Sequence, residues 1–140
     1  MMNMSVRERR LARISGGHWA ELRPGQESTS ERSQDVIRIA ASDLQEAQAA
    51  TARIRAHASS EGTRPAVFLD ILYHVADDAR TARREASEFT SPSRSGSVRY
   101  VGTRTGLRGL IDDITAADVA DGVTLLPLNP HENGFVLEAM

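Results

Sequence analysis

Cysteine and lysine are both absent from this 140-residue chain. Without cysteine there is no disulfide, no thiolate metal site and no cysteine nucleophile. Without lysine there is no P-loop, whose lysine reaches the phosphates, and the run Gly102-x-x-x-Gly106-x-x-Gly109 is not the dinucleotide fingerprint either. All 17 basic residues are arginines, and against 19 acidic ones they leave a formal net charge of −2. That balance supplies no field toward nucleic acid or an anionic membrane. Aromatic residues make up only 4% of the chain, so the cluster Arg7, Arg9, Arg10 and Arg13 lacks the interleaved rings of a nucleic-acid binder and reads as a solvated helix face. No apolar run approaches the roughly 20 residues that span a bilayer. The start, Met1-Met2-Asn3-Met4-Ser5-Val6-Arg7, leads into more charge instead of the apolar stretch of a secretory signal. The expected setting is cytoplasmic, with no nucleic acid and no membrane among the partners.

What is present is a globular composition, 40% hydrophobic, on a chain of about one domain's length. Residues 1–34 are polar, interrupted by Ser15-Gly16-Gly17 and by Pro24-Gly25, and are expected to be largely irregular. A rhythm begins at residue 35. The β-branched run 35–40 predicts a strand. Ser42 and Gln45 have capping-box spacing, and Leu44, Ala47, Thr51, Ile54 and Ala58 form one apolar stripe, which predicts a helix to about Ser60 closed by Gly62 and Pro65. Residues 66–76 form an apolar run suited to a strand covered on both faces. Asp77 or Asp78 can cap a following helix to about Phe89, with Ala79, Ala82 and Ala86 inward and Arg80, Arg83 and Arg84 outward. Residues 90–97 read as a loop. Tyr100-Val101-Gly102-Thr103 leads into a helix burying Leu107, Leu110, Ile111 and Ile114, and residues 122–128 form a third strand, stopped by Pro127 and Pro130. Residues 129–140 form a short tail. Strands alternating with helices predict an α/β fold of three parallel βα units.

These pieces, in this order, resemble the C-terminal end of the luciferase-like, flavin-dependent monooxygenases. The likeness rests on four stretches: the strand at residues 35–40, the Ala- and Arg-rich helix ending near Gly62-Thr63-Arg64-Pro65, the strand and Arg-bearing helix over 67–88, and the Val101-Gly102-Thr103 turn with its helix leading to Asp121-Gly122-Val123-Thr124-Leu125-Leu126-Pro127. It spans about residues 35–128. Arg104 stands where the family commonly has proline, and Asp118 where it commonly has glycine. The resemblance implies the last part of a (β/α)8 TIM barrel, incomplete because the full barrel needs roughly twice this length. It further implies FMN or the deazaflavin F420 as cofactor and a small organic substrate for an oxidoreductase or monooxygenase, with the site at the strands' C-terminal ends. There the resemblance places Ala41 and Ser42, His74 and Val75, and Pro127 and Leu128. No cofactor-binding residue is carried over.

The residues themselves offer further expectations. Alternation puts Phe68, Asp70, Leu72 and His74 on one face of the central strand, with His74 near its C-terminal end. His74 is therefore the candidate catalytic residue, as acid, base or hydrogen-bond donor, against the plainer reading of a satisfied histidine at a strand end. Asp70 is expected to be buried mid-strand, where an unpaired carboxylate is costly, and Arg38 on the neighbouring strand has matching parity, which predicts a structural ion pair. The four histidines have no metal-ligand spacing, and Asp77-Asp78 and Asp112-Asp113 read as helix caps or solvated faces. Trp19 is a candidate to plug exposed core. A second function class follows from the same pattern. Three βα units leave apolar strand edges uncovered, so the chain is otherwise expected to be a non-catalytic remnant or interaction module that forms a homo-oligomer or docks on a partner subunit.

Overall fold

A computed structural model describes residues 10–15, 18–23, 26–27, 36–89 and 96–129. The polar cluster before Arg10, the loop residues 90–95 and the tail 130–140 lie outside the described residues. Strand β4 (Val36–Ile39) leads into helix α1 (Leu44–Ser60). The cap falls one residue later than the Ser42–Gln45 spacing predicts. Asp43 is in extended backbone and accepts from the Glu46 amide at 2.8 Å, while Glu46 accepts from the Ser42 amide at 2.7 Å. A carboxylate is the better partner for the positive end of a helix, so aspartate takes the position from serine. At the other end Gly62, at φ 75°, lets Thr63 and Gly62 donate to the Ala58 and Ser59 carbonyls at 2.9 and 3.1 Å. Both bonds of a Schellman motif are thus made.

Strand β5 (Ala66–Ala76) is the spine of the sheet, followed by α2 (Ala79–Ala86), β6 (Val98–Thr103), α3 (Arg104–Ala116) and β7 (Gly122–Pro127). Asp78 caps α2 as expected, but Ala79 is exposed, and Ala82 and Ala86 carry the packing. The helix is also shorter than predicted, with turns taking residues 87–89. Residues 98–103, expected only as a lead-in, form a full strand. All four strands run parallel, with β4 pairing residues 66–69 of β5, β7 pairing 68–73 and β6 pairing 71–76. Because β6 and β7 overlap along β5, β6 must lie on β4's flank, beyond the end of that strand.

The described residues between 10 and 27 are the largest departure from expectation. Strands β1 (Leu11–Ser15), β2 (His18–Arg23) and β3 (Gln26–Glu27) form an antiparallel ribbon, and β1 lies parallel against β7. The order across the sheet is β3-β2-β1-β7-β5-β4, with β6 on β5. Low apolar content predicts a largely irregular segment, but a ribbon added to an existing sheet satisfies its backbone there and needs few apolar anchors. The result is an α/β fold built on a curled, mainly parallel half-barrel sheet, with three helices among the described residues.

The two faces of β5 are covered differently. Val67, Leu69, Ile71 and Tyr73 pack with Ala47 of α1 and with Leu107, Ile111 and Ile114 of α3 in the main core. On the opposite face Phe68 is buried with Ala12 and Ala66, against Trp19 and Val36. Farther along that second face, Glu85 of α2 and the following Phe89 reach His74. Helix α2 therefore lies across the sheet from α1 and α3. A right-handed crossover requires this, because the chain turns back toward β4 on passing from β5 to β6.

Candidate functional site

The C-terminal ends of the strands are where the resemblance puts chemistry. His74 does sit there, but it is closed off. It is 5% exposed, with Nε2 2.9 Å from Glu85 Oε1 and its ring edge-on to Phe89 at 5.2 Å. Its Nδ1 is buried and has no hydrogen-bond partner among the described residues. The backbone places the ring as alternation predicts; α2, folding back over that face, takes it away from any open mouth. The neighbouring positions offer little chemistry. Ala41 and Leu128 are buried, Val75 and Pro127 are half-buried, and Ser42 is the exposed hydroxyl among them.

Three helices begin at this end, and a helix N-terminus is the ordinary receptor for a phosphate. Each is already occupied by its own chain. Asp43 accepts from the Glu46 amide and Asp78 from the Thr81 amide, both at 2.8 Å, and Thr103 accepts from the Gly106 amide at 3.1 Å. The Thr81 amide and hydroxyl hold Asp78 below the usual carboxylate range. Two of the three termini therefore present fixed negative charge where a flavin phosphate would need donors. These three capped termini do not fit the phosphate of FMN or F420.

Lower on the same face the curl is filled from the N-terminal ribbon. Trp19 meets Phe68 edge-on at 5.2 Å and donates its indole N–H to Thr124 Oγ1 at 2.9 Å. Arg10 lies 5.1 Å above the Phe68 ring and makes two 2.8 Å bonds to Glu21. The hydrogen bond to Glu21 raises the Arg10 pKa against the opposing effect of burial. Gly122 is required beneath this stack, since a Cβ there would stand 2.7 Å from Phe68 and 2.9 Å from the Arg10 Cβ. The expected Trp19 plug is present. Beside it Arg38 and Asp70 form the predicted pair, with bonds of 3.0 and 2.8 Å.

Two features are illegible in the sequence, one wholly and one in part. Arg55 of α1 binds Asp118 at 3.0 Å and Asp121 at 2.9 Å, and Asp121 also accepts from the Val67 amide at 2.7 Å. This cluster borders a pocket of about 390 Å³ with Arg64 and Ser59, at the strands' N-terminal ends. Helix-to-loop contacts carry no periodicity, so spacing cannot reveal them. The second feature is a groove of about 700 Å³ between α1 and β4, lined in part by Val36, Ile37, Ile54 and Pro65. Its signal was legible as an open edge, but its place beside α1 was not.

Among the described residues no group of three or more His, Asp or Glu side chains is arranged to hold a metal, and no helix is long and apolar enough to cross a membrane. No family model matches the chain, and no curated protein matches it.

Proposed function

We propose that this chain is a luciferase-like α/β half-barrel that works through its surface, as an interaction module, and not through a bound flavin. The observation that carries the reading is the state of the face where a barrel would hold its cofactor. Trp19, Phe68 and Arg10 fill it below, α2 closes over His74 above, and the helix N-termini around it hold their own caps. The edge of the sheet at β4 offers what the face does not. Among the described residues β4 pairs with β5 alone, leaving its outer backbone groups and Ile37 available to another strand.

Fluorescence titration of the chain with oxidised FMN and with F420 tests this. The expected result is no saturable change with either cofactor at micromolar concentration. Saturable binding of either one overturns the reading and restores the flavin-dependent oxidoreductase that the resemblance implies, with an organic substrate to be sought at the same site.

A further inference from the structure

Helix α1 turns a second flank toward β4, on which Ile54 packs in part against the main core and the charged residues stay exposed. Ala50, Arg53, Ile54, His57 and Glu61 recur at three- and four-residue spacing along one side of the helix and its cap, and they line the groove beside β4. Ile37 projects from β4 into the same space, 37% exposed, the large hydrophobic residue most open to solvent among those described. Its register partner is Val67, whose side chain packs on the helix-bearing face, so Ile37 and α1 share one side of the sheet. An open strand edge and an apolar groove thus lie side by side.

The charges on the rim identify the occupant. Arg53 precedes His57 by four residues and Glu61 follows it by four, so the pattern changes sign when read backward. Two copies of α1 laid antiparallel about His57 bring each Arg53 opposite Glu61 of the other copy. The two charges are about 12 Å apart along the axis at 1.5 Å per residue, so both pairs close together. Parallel helices would set Arg53 against Arg53 instead. A two-fold axis normal to the sheet that pairs the helices this way also runs β4 antiparallel to β4 of the second copy. That pairing uses the open edge and brings both Ile37 side chains into the joint.

We infer that the chain forms an isologous homodimer through β4 and the Ala50-to-Glu61 stripe of α1. The inference rests on the interaction-module reading and names its partner as a second copy of this chain. Arg53, His57 and Glu61 are all exposed, and His57 contacts Glu61 within one chain at 3.4 Å, so reversing these charges leaves the core untouched.

Sedimentation velocity of the full chain, with far-UV circular dichroism to verify folding, tests the dimer. At about 100 μM, where a micromolar dimer is well populated, wild type is expected to sediment as a dimer. Ile37→Glu and Arg53→Glu are each expected to weaken association about tenfold or more, because each sets a charge against an apolar or like-charged partner. The double variant Arg53→Glu with Glu61→Arg restores the complementary pattern and is expected to recover the dimer. A monomeric wild type, a dimer indifferent to Arg53→Glu, or a double variant no better than the single one overturns the inference. Failure here and failure of the parent reading are separable, since only flavin binding overturns the latter.

Discussion

Arg38 and Asp70 meet across β4 and β5 in a two-bond contact, but their side chains remain 34% and 18% exposed. Solvent therefore screens the charges, and the pair contributes about 0.5–1 kcal/mol. Asp70→Asn keeps the shape and removes the charge, so its thermal midpoint is expected to fall by about 2–4 °C. A variant melting at or above wild type would count against the pair. This contact was legible because both residues follow strand parity. Asp118 was half legible. It ends α3 in the left-handed region at φ 60°, where the backbone favours glycine, and Val119 and Asp118 donate to the Ile114 and Thr115 carbonyls as a Schellman motif requires. The departure from glycine could be read from the chain. The ion pair with Arg55, which gives the aspartate a role, depends on how α1 lies beside that turn.

Elements were mostly recoverable from their own punctuation. Stripe and closing glycine located α1, with the N-cap one residue later than the spacing predicts, and an uninterrupted apolar run located β5. The cap of α2 makes a prediction at this scale. The Thr81 amide, and then its hydroxyl, hold the folded Asp78 carboxyl below its unfolded value. The cap's contribution is therefore fully present above the unfolded carboxylate range and is lost as pH falls through the lower, folded value. Carboxyl NMR is expected to show Asp78 titrating below the unperturbed value of about 3.9, and Asp78→Ala is expected to make the acid-side loss of stability shallower. A titration at the ordinary value would remove the cap as its cause. Strand β6 and the N-terminal ribbon escaped notice for a shared reason. Their sequences are too polar or too short to declare a strand, and they become strands by borrowing an edge that is already formed.

For the whole molecule, the question is whether that ribbon is an ornament or a part of the fold. Trp19 anchors it across the curl through Phe68 and Thr124, so ribbon and βα units should unfold together. Trp19 is the chain's one tryptophan, and its fluorescence reports the ribbon while far-UV circular dichroism reports the helices. The two urea transitions are expected to coincide, and Trp19→Ala to cost up to about 3 kcal/mol from lost packing and the lost bond to Thr124. A fluorescence transition well ahead of the helical one would make the ribbon a separate, loosely held unit.

Local chemistry in the chain was enough to determine the α/β alternation, the central strand, most helix limits and the Arg38–Asp70 pair, since each depends on residues within one turn or on strand parity. It also determined that no thiol and no lysine chemistry is available. Only the tertiary structure decided that β6 returns to β4's flank, that α2 consequently crosses to the other face and closes over His74, and that the N-terminal ribbon fills the curl with Trp19. Those outcomes depend on which edge a strand joins. Edge choice is a competition among distant segments for the same backbone partners and the same apolar surface, and no spacing within a segment encodes it.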